Sequence, residues 1–519
     1  MPVDVVVGLD SGTTATKAVT AGTDGRVRDL ASVAYPLLVP APGRAELDAG
    51  RLAAAAVEAL GEVAALARER GDTVVAVSLS AAMHGLVPMD DEGAPLGPVV
   101  TWADDRAAQW AQALVADGRA ADLHARTGTP VHAMSPLVKL SWERAEDAAR
   151  VAGVPRWGGV KELVVAALCG GRHVLDRSCA SATGLYDIRG GRWDEEAMSI
   201  AGVRPRQLGE VLPTTAVLPG LRPEVAAATG LPAGTPVVVG ASDGVLANLG
   251  VGAVRSDVAA VSLGTSGAMR VVVPRPTVDP GRRLFCYALT DDAWVVGGAI
   301  NNGGSVVRWA AEAFAAGPDG AEGPVGEEAD DLDARLLEEA AAVPAGSSGL
   351  LCLPYLLGER APWWRSGMRG AYLGLRREHR RPHLVRAAVE GVCQQLALVR
   401  DAFAATDVPV REVRATGGAV ASPLWIETLA AALDLPVRVA DSLEGTGLGA
   451  CLLGWHAFGA LPDLTAATSL VDVHEPVLPD PGAVEVYRQL RPLVDRSTTA
   501  LVDVLTTLDA LDDAPIRST

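Results

Sequence analysis

Two short turns rich in glycine and hydroxyl side chains carry the clearest chemical signal in this sequence. They are residues 10–14 (DSGTT) and 264–267 (GTSG). Glycine lets backbone N–H groups turn toward an anion, and serine or threonine hydroxyls add donors. Either turn alone could be a plain hairpin turn, but the repeated pattern predicts that both bind phosphate groups of one nucleotide. The predicted phosphate contacts are Gly12, Thr13, Thr14, Gly264, Thr265 and Ser266.

Two aspartates, Asp10 and Asp243, are candidates for metal binding and for general base catalysis. Asp10 ends a strand-like run and could hold Mg²⁺ directly or through water. Asp243 lies between small residues after a strand-like run, so its carboxylate could reach a ligand unobstructed. In a hydroxyl kinase it would accept the substrate proton as general base, and with Asp10 it is a candidate Mg²⁺ ligand. The alternative for Asp243 is a helix N-cap.

Two further loops combine side chains of the kind that bind sugars. Residues 82–85 and 101–106 supply an imidazole, an indole, carboxylates and a guanidinium. Planar polar groups can bind hydroxyls, and an aromatic face can cover C–H groups. The alternatives are a hydrogen-bonded turn histidine and a solvated acidic helix start. The predicted substrate contacts are Met83, His84, Trp102 and Asp104.

A third glycine-rich segment, residues 415–422, follows a strand and precedes a helix. Its Gly417-Gly418 pair permits close backbone approach by a flat or phosphorylated ligand. An ordinary helix-entry turn is the alternative interpretation.

Charge and lysine content exclude two classes of protein. Acidic residues number 63 and basic residues 45, which gives a net charge of −18 at pH 7. A general nucleic-acid binder would have the opposite balance. The only lysines are Lys17, Lys139 and Lys161, and none lies in the Gly-Lys-Ser/Thr context of a Walker A motif. If the chain handles ATP, it does so without a P-loop.

The elements that must position these residues repeat once along the chain. A strand, a Gly/Thr turn and a second strand occur near residue 10 and again near residue 264. The rest alternates strands and helices, which predicts an α/β fold. With 519 residues, the chain exceeds one ordinary core. We predict domains over residues 1–245 and 246–460, followed by a helical segment over 461–519.

Cysteine usage and hydropathy predict a cytoplasmic protein without a membrane partner. The six cysteines are scattered and form no C-x-x-C pair, which fits a reducing compartment. No uninterrupted apolar run has the length of a membrane span. The first residues enter a strand-like run without the features of a signal peptide.

Together these motifs resemble the FGGY family of carbohydrate kinases. Residues 134–142 (MSPLVKLSW) are similar to its first signature, with Glu143 where an apolar residue is usual, and residues 370–390 match the second. The resemblance covers roughly residues 3–460. It implies two actin-like ATPase (ribonuclease H-like) domains that face each other across a cleft.

The resemblance also implies roles for individual residues. Residues 10–14 would contact phosphate and Mg²⁺, Thr265 would lie near the terminal phosphates of ATP, and Asp243 would be the general base. The adenosine side would be lined by Gly304, Gly417, Gly418 and Ser422. Some relatives have asparagine at the position of Ser422.

Within the family, several stretches are most similar to the members that phosphorylate gluconate. We therefore predict ATP-dependent conversion of D-gluconate to 6-phosphogluconate, with a xylulokinase or another sugar or polyol kinase as the second hypothesis. A non-catalytic sugar sensor is a remote third. The substrate carboxylate needs donors, and the candidates are His84, Arg106, Lys139, Asn301 and Asn302. A homodimer is an expectation from the family alone.

Overall fold

The computed structural model describes residues 2–314, 329–441 and 444–512. The chain divides into two compact units. Unit 1 comprises Met1–Ser256, Val271–Val296 and Asp441–Asp472, and unit 2 comprises Asp257–Arg270, Gly297–Ala440 and Val473–Thr519. The predicted division at residue 245 stays a prediction. Residues 315–348 are rich in glycine, proline and acidic residues, which predicts an exposed insertion, and they lie partly outside the described residues.

The described strands are numbered in chain order. The strands β1 to β22 are Asp4–Ser11, Ala15–Ala21, Val27–Ala34, Glu46–Leu47, Thr73–Ala81, Val87–Met89, Val99–Val100, Arg156–Gly158, Val174–Asp176, Tyr186–Asp187, Arg192–Trp193, Glu210–Leu212, Val217–Leu218, Val237–Ser242, Val258–Leu263, Gly267–Val273, Phe285–Ala288, Trp294–Ile300, Leu351–Leu353, Ala371–Leu373, Glu412–Thr416 and Val437–Val439.

The described α-helices are numbered in the same way. The helices α1 to α17 are Ala49–Arg70, Ala108–Ala116, Ala120–Thr127, Pro136–Glu146, Ala148–Gly153, Val160–Cys169, Arg177–Ser181, Glu195–Ala201, Pro223–Thr229, Asp243–Gly250, Ser305–Phe314, Ala329–Ala341, Arg381–Phe403, Pro423–Leu433, Gly445–Ala457, Ala467–Leu470 and Pro481–Asp512. Strands and helices alternate along the chain, so the predicted α/β class is confirmed.

Unit 1 contains a six-stranded mixed sheet in the order β13-β14-β5-β1-β2-β3. Strands β1, β2 and β3 form an antiparallel meander, and β5 and β14 continue the sheet in parallel with β1. Val7 and Leu9 of β1 are fully buried against the core that contains α1. Because alternate residues of a strand face opposite sides, Gly8 faces the other layer, where α15 packs.

Helix α15 lies close to its neighbours because glycines remove the intervening side chains. A Cβ atom on Gly8 would lie 2.1 Å from the carbonyl oxygen of Gly447, and one on Gly449 would lie 2.1 Å from that of Leu246 in α10. These distances leave no room for a side chain. Backbone contact therefore joins β1, α15 and α10, which places the start of α10 beside the end of β1.

Unit 2 is built on strands from the second six-stranded sheet, whose order is β17-β18-β16-β15-β21-β22. Strand β15 runs parallel to β21, and β21 runs parallel to β22. Helix α13 packs against α11, α12, α14 and α17, and most of its middle is buried. The second strand–turn–strand segment predicted from the sequence is present as β15, residues 264–266 and β16.

Among the helices of the described residues, none is both long and apolar enough to span a membrane.

Replacement of Gly449 by alanine should destabilise unit 1. The new methyl group would overlap the backbone of α10, and overpacking of this kind costs about 1–3 kcal/mol. We expect a lower melting temperature by calorimetry. Gly153→Ala in α5 is the matched control, because a Cβ atom there meets nothing within 4 Å. Equal melting temperatures for the two variants would contradict the close packing of α15.

Candidate active site

The first predicted phosphate turn joins β1 to β2 in unit 1, and hydrogen bonds to its backbone hold it in place. The Gly12 N–H donates to the carbonyl of Ala15 at 3.0 Å. The Tyr35 hydroxyl donates to the carbonyl of Gly12 at 2.8 Å, and the Tyr35 N–H donates to that of Thr14. The turn therefore has its shape before any ligand arrives. Tyr35 was not predicted from the sequence.

Asp10 lies at the end of β1 beside a second carboxylate of the same unit. Its Oδ1 accepts a hydrogen bond of 2.6 Å from the Ser80 hydroxyl. Burial, and next the negative charge of Asp243, raise the pKa of Asp10 to about 7. A divalent cation would relieve both effects, so this pair suits Mg²⁺. The described residues contain no group of three or more His, Cys, Asp or Glu side chains that could hold a metal. Mg²⁺ would therefore need substrate phosphates and water to complete its coordination.

Asp243 is the first residue of α10 and follows β14 directly. Ser242 occupies the N-cap position, so Asp243 is not the capping residue of this helix. The Asp243 Oδ1 accepts a hydrogen bond of 2.7 Å from the N–H of Gly244. Asp243 is partly exposed, whereas Ser242 is fully buried.

The loop that follows β7, residues 101–106, contacts the first predicted phosphate turn. The Trp102 indole N–H donates to the Thr13 hydroxyl at 3.0 Å. The structure thus brings together a residue predicted for the substrate and one predicted for phosphate. Both lie in unit 1.

Asp104 is fully buried and already accepts four hydrogen bonds. They come from the N–H of Ala45 and from the backbone N–H, Nε and Nη2 of Arg106. A carboxylate has about four acceptor sites, so Asp104 has none left over. Arg106 also pairs with Glu46 and lies over the Trp142 ring at 5.5 Å. This network positions the loop that carries Trp102.

His84 follows Met83 after β5 and has a left-handed backbone, with φ at 67°. Its Nδ1 lies 2.8 Å from the carbonyl oxygen of Ala182, and its ring meets the Tyr287 ring edge-on with centroids 5.7 Å apart. Met83 is partly exposed, whereas His84 is 7% exposed. The left-handed conformation is strained for a residue with a Cβ atom, so the surrounding contacts must hold this loop.

Lys139 in α4 binds the backbone of both predicted sugar-binding loops, residues 82–85 and 101–106, which we call the acceptor loops. Its Nζ donates to the carbonyls of His84 at 2.7 Å and Thr101 at 2.6 Å, and more weakly to Val100 at 3.4 Å. The side chain is 1% exposed. Burial lowers the pKa of Lys139 to about 7, against the opposing effect of Asp104. Lys139 therefore binds the backbone behind the substrate residues and cannot extend to a ligand from this position.

The second phosphate turn, in unit 2, packs against two glycines of the loop before α11. The Gly303 N–H donates to Thr265 O at 3.0 Å, and the Gly304 N–H donates to Gly264 O at 2.7 Å. A Cβ atom on Gly303 would lie 2.6 Å from the carbonyl oxygen of Ser266. The structure thus brings Gly304 next to the predicted phosphate turn.

The Gly417-Gly418 segment closes on the same turn. Gly417 has φ at +110°, and a Cβ atom there would lie 2.4 Å from the carbonyl oxygen of Leu263, the last residue of β15. Gly418 begins a short 3-10 helix over Gly418–Ala421, and Ser422 is the N-cap of α14. Only glycine fits at position 417, so these glycines form one backbone surface beside Gly264.

Asn301 in unit 2 is bonded to a segment more than 50 residues further along the chain, around Leu357 and Arg360. Its Nδ2 donates to Leu357 O at 2.8 Å, and its Oδ1 accepts from Arg360 Nε at 2.6 Å. The neighbouring Asn302 amide bonds Gly358 O, the Leu357 N–H and the carboxylate of Glu359. Both amides thus hold the segment around Glu359, whose pKa burial raises to about 7.

Sequence reasoning missed several groups that hold the site in unit 1. Lys161 is the clearest, since α6 is apolar apart from Lys161 and Glu162 and the Lys161 side chain is 1% exposed. A lone lysine in such a run is a usable signal, because a buried ammonium must have acceptors. Ser80, Tyr35 and Ser178 gave no comparable signal.

Comparison with known proteins gives a consistent result along the whole chain. Residues 5–250 match the model of the FGGY family of carbohydrate kinases, N-terminal domain, and residues 259–458 match its C-terminal domain. The gluconokinase of Bacillus subtilis (strain 168) is 38% identical over 492 residues, 94% of each chain. Crystal structures of a gluconate kinase and a ligand-bound xylulose kinase from Lactobacillus acidophilus both align at TM-score 0.88 and 31% identity, covering 96% of this chain and 98% of theirs.

Loss of the Trp102–Thr13 hydrogen bond should lower kcat/KM, and the effects of changing the two residues should not be additive. Trp102→Phe keeps an aromatic face without the N–H, and Thr13→Val keeps the shape without the hydroxyl. A neutral hydrogen bond is worth about 1 kcal/mol, so each variant should lose roughly fivefold or more in kcat/KM. A double-mutant cycle should show a coupling of about 1 kcal/mol. Strictly additive effects would mean that the bond does not contribute.

Lys139 should make substrate binding depend on pH. Below about pH 7 its side chain is an ammonium with three N–H donors and a positive charge. Above that pH it is a neutral amine with two N–H donors and no charge. We expect the KM for the sugar to rise as pH increases through 7. Lys139→Met should have a high KM already at about pH 6, because it lacks the charge there as well. A rise of equal size in that variant would assign the pH dependence to another group.

Proposed function

Because the chain belongs to the FGGY family of carbohydrate kinases, we propose that it phosphorylates D-gluconate to 6-phosphogluconate. The family is one of kinases, so the reaction uses ATP. The observation that carries the choice of substrate is the 38% identity with a gluconokinase over 94% of both chains. The equally good structural alignment with a xylulose kinase makes xylulose the second candidate.

Unit 1 supplies the acceptor site and the base in this proposal. The 6-hydroxyl oxygen of gluconate attacks the γ-phosphorus of ATP, its proton passes to the Asp243 carboxylate, and the bond to the β-phosphate oxygen breaks to release ADP. Asp243 suits this role because it is partly exposed while its backbone is anchored in α10. Met83, His84 and Trp102 would surround the sugar, and Asp104 would hold the loop that carries Trp102.

Asp10 and Asp243 would hold Mg²⁺ together with phosphate oxygens. The ion, when bound, neutralises the charge of the transferring phosphoryl group. Burial, and next the repulsion between the two carboxylates, raise the pKa of Asp10, which supports the assignment. The Gly12 to Thr14 turn donates backbone and hydroxyl groups to phosphate.

Unit 2 would supply the remaining nucleotide contacts. Gly264, Thr265 and Ser266 would donate to phosphate oxygens. Gly304, Gly417, Gly418 and Ser422 would line the adenosine side. The support is that the backbone packing of unit 2 gathers the 264–266 turn, Gly304 and Gly417 at one place. Asn301 would act on the substrate only indirectly, since its amide is already bonded. A cytoplasmic location and a homodimer stay predictions.

A coupled ADP-release assay over gluconate, xylulose, glycerol and ribulose tests the proposal. We expect the highest kcat/KM with gluconate. Asp243→Asn should lower kcat by about 10²–10⁴-fold, the usual contribution of a general base, while calorimetry still detects nucleotide binding.

Three outcomes would contradict parts of this proposal. A preference for xylulose would overturn the gluconate assignment, and turnover of none of the four would favour a sensor. Wild-type turnover by Asp243→Asn would remove Asp243 from the base role.

A further inference from the structure

Strand β14 contains a bulge three residues before Asp243. Val238 pairs with Ser78 of β5, and Ala241 pairs with Ser80, so β14 has one residue more than its partner over this stretch. Gly240 takes up the extra length with φ at +74°, and a Cβ atom there would lie 1.7 Å from the carbonyl oxygen of Leu79. A bulge of this kind interrupts the ladder and changes the direction of the residues after it.

Lys161 binds three buried carbonyls at and beside this bulge. Its Nζ donates to Leu79 O at 2.9 Å, Val239 O at 2.6 Å and Ala241 O at 3.1 Å. An ammonium has three N–H donors, so the match between donors and carbonyls is complete. Two of these carbonyls belong to the last four residues of β14.

The positive charge of Lys161 is balanced within the same unit. Oδ2 of Asp176 lies 3.4 Å from its Nζ, and the two side chains are 1% and 0% exposed. The other oxygen of Asp176 caps α7 by accepting from the N–H of Cys179 at 2.7 Å. From α7, the Ser178 hydroxyl bonds both the hydroxyl and the N–H of Ser242. The residue next to Asp243 is thus held from the same cluster.

We propose that Lys161 is the positioning residue of the phosphoryl-transfer reaction, which sets the place of Asp243 by binding the carbonyls of the β14 bulge. This inference rests on the proposed function, in which Asp243 is the general base. Without the ammonium, the carbonyls of Val239 and Ala241 lose the hydrogen bonds from Lys161, and the start of α10 shifts. Displacement of a reacting group by about 1 Å can cost 10²-fold in rate.

Lys161→Met, with Lys139→Met as a matched control, tests the proposal. Both lysines are 1% exposed and bind three carbonyls, but Lys139 serves the acceptor loops. We expect Lys161→Met to lower kcat about 10²-fold with KM for gluconate and ATP within about threefold of wild type. Lys139→Met should instead raise the KM for gluconate. Nucleotide-binding stoichiometry by calorimetry normalises each rate to folded protein.

A double variant separates positioning from general loss of structure. If Lys161 acts through Asp243, Lys161→Met should change the residual turnover of Asp243→Asn by less than about threefold, because the group it positions is already gone. A further 10²-fold loss in that background, or parallel changes of kcat and KM in the two lysine variants, would overturn the proposal.

Lys161→Gln provides a second variant if Lys161→Met does not fold. It keeps two donors without the charge and should retain intermediate turnover. Failure of both to fold would overturn the proposal, since Lys161 would then be required for the fold itself. Normal turnover by Asp243→Asn would instead remove the base assignment, whereas an inactive Asp243→Asn beside a fully active Lys161→Met would remove only the role of Lys161.

Discussion

Buried backbone carbonyls require hydrogen-bond donors, and this requirement governs how unit 1 holds its functional residues. Chemistry-bearing residues lie where strands end, and strand ends leave carbonyls without ladder partners. In unit 1 ammonium groups supply the missing donors, from Lys139 to the acceptor loops and from Lys161 to the end of β14. A carbonyl left bare there would cost about 1–3 kcal/mol, so the loops and the lysines stabilise each other.

A second constraint is the contact of backbone with backbone through glycine. In unit 1, glycines let α15 lie on β1 and α10, and in unit 2 they let the 264–266 turn meet Gly304 and Gly417. Such contacts cannot relax by side-chain rotation. They therefore hold the candidate phosphate turns in one shape, and preformed donors are what electrostatic stabilisation of a transferring phosphoryl group needs.

The sequence was sufficient for the fold class and for most of the elements that carry the site. The apolar spacing of residues 52–70 and 424–433 is typical of helices, and these segments lie in the helices Ala49–Arg70 and Pro423–Leu433. The hydrogen bonds of Asp104 to Ala45 and of Asn301 to Leu357 could not be predicted. Their partners, Ala45 and Leu357, lie 59 and 56 residues away in the chain, and no local pattern reports such contacts. The bulge at Gly240 could not be predicted for the same reason, because a bulge is defined only by how β14 pairs with β5.

The use of lysine at positions 139 and 161, in a chain that otherwise favours arginine, indicates that an ammonium group is specifically required there. Lysine and arginine together number 45, and the sequence contains only three lysines, so this chain uses arginine for nearly all of its cationic side chains. Lys17 is partly exposed and pairs with Glu444, an arrangement that contributes little to stability. Lys139 and Lys161 are different, because three carbonyls converge on one compact point in each case. A planar guanidinium with a forked set of donors fits carboxylates and phosphates but not that geometry. In a chain with a net charge of −18, these two buried cations therefore serve the backbone that carries the site, while the anionic ligands are left to the turns themselves.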